Sequence, residues 1–143
     1  CTLLRACFRR RCRSQVLSAG KRTRVVTMHK STNLRLVLAA AGDAPANQLE
    51  LFALLTLGIL ESLENGLLSP AEAITVFFNA DNCCFVRERL PDKAADEVMS
   101  RGVQLADLVE AIPLSESPQE LRSEIAAIRR LCLGLLEEHR LVA

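Results

Sequence analysis

The same helix-start signature occurs twice in this chain, as Ser69-Pro70-Ala71-Glu72 and as Ser117-Pro118-Gln119-Glu120. Each residue in it has a mechanical reason. The serine hydroxyl caps orphan amides, and proline loses nothing at the first helical position. The glutamate reaches back to the serine amide to complete a capping box. Behind the second signature, Leu121, Ile125, Ile128, Cys132, Leu135 and His139 recur at spacings of 4, 3, 4, 3 and 4. That period belongs to one side of an α-helix and to no strand. Composition agrees: 25 of 143 residues are leucine, aromatics are 3%, and tryptophan and tyrosine are absent. Aliphatic helices suit such a mixture better than an aromatic-rich sandwich or barrel.

Read from its stops and starts, the rest of the chain adds further helices. Asn33 to Ala41 is expected as a short helix ending at the turn Gly42-Asp43-Ala44-Pro45. From about Ala46 to Glu64, Leu49, Phe52, Leu55 or Thr56, Ile59, Leu60 and Leu63 keep helical spacing, and Asn65-Gly66 supplies the stop. Leu51, Leu54 and Leu57 place apolar side chains on its other faces, as in a helix buried among neighbours or at a subunit interface. The helix after Ser69 runs to about Phe78 or Asn79, and Asp81-Asn82 caps a short helix holding Phe85 and Val86. After Pro91-Asp92 a helix carrying Ala94, Ala95, Val98 and Met99 is expected to stop at Gly102. A separate one with Leu105, Leu108, Val109 and Ile112 then ends at Pro113. The expected fold is all-α: a compact bundle of five or six helices over residues 31–143, with helices 46–64 and 118–140 at its centre.

Charge divides the chain. Residues 1–30 hold nine of the eighteen basic residues and none of the seventeen acids, a charge of +9; the other nine bases against all seventeen acids leave 31–143 at −8. The expected organisation is therefore a flexible basic arm, 1–30, joined to a helical domain. Three readings of the arm stand side by side. Arg9, Arg10, Arg11 and Arg13 could contact the phosphates of a nucleic acid. The arm could be a transit-type presequence, which is likewise arginine-rich and acid-poor. It could also lie outside the native protein, since the chain opens with Cys1 and Met28 sits where composition changes.

Motifs that carry chemistry are scarce. Six cysteines include no C-x-x-C, so paired-knuckle zinc and thioredoxin-type sites are not signalled. A zinc site from Cys83, Cys84, Cys132 and His139 is the less favoured reading beside that of small buried hydrophobes. His139 falls in the last helical turn, where the dipole favours a cation. Gly42 and Gly58 belong to no phosphate-binding loop. The acids Glu61 and Glu64, Asp92 and Asp96, and Glu137 and Glu138 sit on polar faces or at caps, where solvated carboxylates need no further role. No catalytic residue, cofactor or metal is expected, and the chain reads as non-enzymatic.

The longest apolar stretch, Leu51 to Leu60, is half of the ~20 residues a spanning helix requires, and no signal sequence follows the basic cluster. No membrane partner and a cytoplasmic location are expected. The leading functional expectation is a protein–protein interaction module that forms a homodimer or other homo-oligomer, or binds another protein. Leu51, Leu54, Leu57, Leu121, Ile125, Ile128 and Leu135 are its candidate interface. The stripe of the last helix also fits an ordinary bundle-facing helix. Nucleic-acid binding, through the arm alone, is the alternative.

The run Leu57-Gly58-Ile59-Leu60-Glu61-Ser62-Leu63-Glu64-Asn65-Gly66-Leu67-Leu68-Ser69-Pro70-Ala71-Glu72-Ala73, followed by Phe77-Phe78-Asn79, resembles a family of small bacterial helical proteins of unknown function. Ser100-Arg101-Gly102-Val103-Gln104-Leu105-Ala106-Asp107-Leu108 resembles the middle of the same proteins. The resemblance spans about residues 46–140. It implies a small all-α bacterial protein and assigns no catalytic residue.

Overall fold

Local capping chemistry accounts for most helix boundaries in the computed structural model, which describes residues 31–111 and 117–140. Six helices follow in order: α1 (Leu34–Ala39), α2 (Pro45–Glu64), α3 (Pro70–Val76), α4 (Ala80–Arg89), α5 (Lys93–Ala111) and α6 (Ser117–Arg140). No strand occurs among the described residues, so the chain is all-α as its periodicity requires. The basic arm and residues 112–116 lie outside the described residues.

Asn33 caps α1 by accepting from the Leu36 amide. Gly66, at φ 68°, makes the left-handed turn that closes α2. The capping box at α3 is reciprocal: Ser69 Oγ accepts from the Glu72 amide at 3.2 Å, and Glu72 Oε2 accepts from the Ser69 amide at 2.8 Å. At α5, Asp92 Oδ1 accepts from the amides of Ala94 and Ala95 at 2.8 and 3.0 Å. The second Ser-Pro signature opens α6, whose first helical residue is Ser117.

Two boundaries differ from the sequence reading. The cap of α4 is Asn79, whose Oδ1 accepts from the Asn82 amide at 3.0 Å, rather than the pair Asp81-Asn82. Asp81 lies in the first turn, where its charge suits the helix dipole. Gly102, expected to end a helix, sits inside the unbroken α5. Its role is steric, because a Cβ at this position would stand 2.1 Å from Cδ1 of the Phe78 ring. Glycine lets α5 lie against that ring, and α5 continues through the segment expected as a separate helix.

α6 packs along both α2 and α5, while α3 and α4 lie on α5 and α1 closes against α2 and α4. The centre is therefore shared by α6 and α5 rather than held by α2 and α6 alone. Phe52, Phe77 and Phe78 are almost wholly buried. The rings of Phe52 and Phe77 stack at 6.3 Å, and Phe77 meets Phe78 edge-on at 5.1 Å. Each such ring contributes ~1.5–3 kcal/mol by leaving water, and the pair geometry adds about 1 kcal/mol.

Candidate functional site

The seven candidate interface residues separate into two groups. Ile125, Ile128 and Leu135 are at most 1% exposed, so the regular stripe of α6 is used up inside the chain against α2 and α5. Leu51, Leu57 and Leu121 are half-buried and packed on the core, while Leu54 is 51% exposed. Only these four keep surface to offer another molecule.

An ion cluster fixes how α2 and α6 lie together. Arg129 of α6 bonds Glu61 at 3.3 Å and also Glu64, both on α2. Hydrogen bonding to Glu64, outweighing the opposing effect of burial, holds the Arg129 guanidinium charged still more firmly than usual. Further along, the Cys132 thiol meets the Thr56 hydroxyl. Moving up α6 thus means moving down α2, and the pair is antiparallel.

This register brings apolar residues together. Leu57 and Leu54 precede Glu61 by four and seven residues, and Leu133 and Leu136 follow Arg129 by four and seven. Residues at those offsets share a helix side. In an antiparallel pair, both sets extend from the ion cluster in the same direction. The result is an apolar strip on the outer side of the α2–α6 seam, with Leu54 and Leu133 at 51% and 45% exposure. Sequence reasoning missed Leu133 as a surface residue. The available signal was its place off the 4-3-4 core stripe and on the side of Arg129.

Buried polar chemistry gathers elsewhere. Asn82 is 4% exposed, and its side chain is fully engaged. Its Oδ1 accepts from the Leu34 amide at 3.2 Å, and its Nδ2 donates to the carbonyls of Thr32 and Phe77 at 2.8 and 2.9 Å. Asn82 therefore clasps the segment before α1 to the α3–α4 corner, which is structural work. Cys83 and Cys132 are free and buried, and desolvation pushes each thiol up to about 12. Thiols so resistant to ionisation are poor nucleophiles. Among the described residues no three His, Cys, Asp or Glu side chains are grouped to hold a metal ion. Cys83 and Cys132 lie apart, the first reaching the Phe78 carbonyl at 4.0 Å and the second beside Thr56. The His139 side chain and Arg9, Arg10, Arg11 and Arg13 lie outside the described residues.

α2 is the one described helix long and apolar enough, by length and composition, to cross a membrane, at a mean hydropathy of 1.2. Leu49, Phe52, Thr56, Leu60 and Leu63 along it are buried in the core. Its apolar surplus is what surfaces at Leu54.

These features define a class: a small all-α protein with two long antiparallel helices whose outer side carries an exposed apolar strip. Residues 45–141 match the model of a family described as protein of unknown function (DUF3969), and the chain belongs to that family. No curated protein matches it. No solved structure matches it either.

Proposed function

We propose that this protein is a non-enzymatic interaction module that self-associates through the outer side of the α2–α6 seam. The observation that carries the reading is the pairing of Leu54 and Leu133, each about half exposed, on adjoining helices. Apolar side chains that remain in water next to one another gain by being covered, at ~25 cal/mol per Å² removed from solvent. Sedimentation velocity of the full chain, from low to high micromolar concentration, tests the reading. A concentration-dependent dimer is expected, and Leu54→Glu or Leu133→Glu is expected to return it to monomer with helical circular dichroism unchanged. A wild-type chain that stays monomeric at high micromolar concentration overturns self-association.

A second reading rests on the +9 charge of residues 1–30. Clustered arginines that neutralise phosphates release counterions, so binding of this kind falls steeply with salt. Deleting residues 1–27 is expected to abolish salt-sensitive retention on duplex DNA or RNA. Unchanged retention removes the arm from the account.

A further inference from the structure

Resting on the self-association proposed above, we infer that the occupant of the seam is a second copy of this chain, docked antiparallel about a two-fold axis beside Leu133. The core stripe of α6 is matched on its outer surface by Ala126, Arg130, Leu133 and Glu137, all exposed and spaced 4, 3 and 4. This outer stripe has the period of a helix-pairing seam. Arg87, Arg101 and Arg129 each hold an acid on a neighbouring helix. Arg130 and Glu137 take part in none of these three clasps, and at seven positions apart they stand two turns from each other.

Two-fold symmetry makes the same patch meet itself. A parallel pairing of α6 with its copy sets Arg130 against Arg130 and Glu137 against Glu137. The antiparallel pairing about Leu133 instead sets Arg130 opposite the partner's Glu137, and the symmetry repeats that pair on the other side. Both charges stand about 5 Å along the axis from Leu133, given a rise of ~1.5 Å per residue. Pairs so near the crossing point stay within reach across the common helix-packing angles. Leucine at the centre supplies the covered apolar contact, and Leu54 on α2 extends it sideways. Gly134, next to the axis, adds no bulk there. Charge thus sets orientation and register, and the leucines set affinity.

Sedimentation equilibrium of the full chain and three variants tests the pairing. Arg130→Glu alone and Glu137→Arg alone are each expected to weaken the dimer about tenfold, because each turns two opposite-charge pairs into like-charge pairs. The double variant R130E/E137R restores opposite pairing and is expected to return to within about twofold of wild type. Both positions are exposed, and helical circular dichroism verifies the fold of each variant. A dimer indifferent to the single reversals, or a double variant that stays apart, overturns the antiparallel pairing and leaves self-association standing. A wild-type chain that is monomeric throughout overturns both.

Discussion

Asn82 and Gly102 are the two residues whose chemistry is hardest to replace, and for opposite reasons. Asn82 satisfies one buried amide and two carbonyls from two separate stretches of chain. Asn82→Ala removes all three partners at once. A buried group left unpaired costs ~1–3 kcal/mol, although Thr32, only half-buried, can turn to water. A loss of about 3 kcal/mol in the free energy of unfolding is expected from urea titration. Gly102 contributes empty space. Gly102→Ala gains up to ~1 kcal/mol in helix propensity but overpacks a site where such insertions cost ~1–3 kcal/mol. With a Cβ 2.1 Å from a ring that is itself 1% exposed, the steric cost wins, for a net loss of about 2 kcal/mol. Combining it with Phe78→Leu should restore part of that loss, since the two positions share one volume. The thiols of Cys83 and Cys132 rise from 9.0 to about 12 through desolvation. Their folded values exceed their unfolded ones, so the stability they confer is whole below about pH 9 and is lost as pH climbs towards 12. Urea midpoints from pH 7 to 11 should fall along that limb, and Cys132→Ala should flatten it. With no tyrosine in the chain, the limb is free of phenol ionisation.

At the scale of elements, α1 is the part that opens first. Six residues are far too few for an autonomous helix, so its order depends on the buried Leu34 and Leu38 and on the Asn82 clasp. In Asn82→Ala, hydrogen exchange should quicken at Leu34–Ala39 while the amides around Cys132 and Leu135 keep their protection. How much of the fold was legible follows the range of the forces involved. The starts at Ser69 and Asn33 and the stop at Gly66 were readable because a cap and its amide lie within one turn. Asn79 was overlooked because the pair two and three residues on, Asp81 and Asn82, includes a cap-former whose side chain is committed to residues 48 and 50 positions away. Gly102 was misread as a stop for the same reason: its partner, Phe78, lies 24 residues away in the turn between α3 and α4. The 4-3-4 stripe of α6 was legible as a helix side, but spacing alone does not say whether a neighbour within the chain or a second chain covers it. Burial of Ile125, Ile128 and Leu135 answers for the stripe, and leaves the surface role to Leu54 and Leu133.

At the scale of the molecule, three helix seams among the described residues carry an arginine clasp each: Arg129 joins α6 to α2, Arg101 joins α5 to Glu124 of α6, and Arg87 joins α4 to Asp96 of α5. These groups are at least a third exposed on the arginine side, so each clasp stabilises by no more than ~1 kcal/mol. Their value is register, which sets Leu54 and Leu133 on the same outer side of the α2–α6 seam, the strip proposed to meet a second copy. Under the proposed self-association, Arg129→Met should therefore lower the unfolding midpoint little while weakening the proposed dimer, a split measurable by unfolding and sedimentation on the same sample.

The clasp at Asn82 also bears on where this protein can be cut. Family kinship is recorded over 45–141, yet Leu34 and Leu38, both wholly buried, lie upstream of that boundary. A fragment trimmed to the shared region loses two plugs from its interior and leaves the Asn82 amide facing an open slot. Such a piece should be insoluble or molten, and a piece beginning at residue 31 should fold, a contrast that circular dichroism of the two would show. What is inherited in common and what stands up by itself are two different lengths of the same chain.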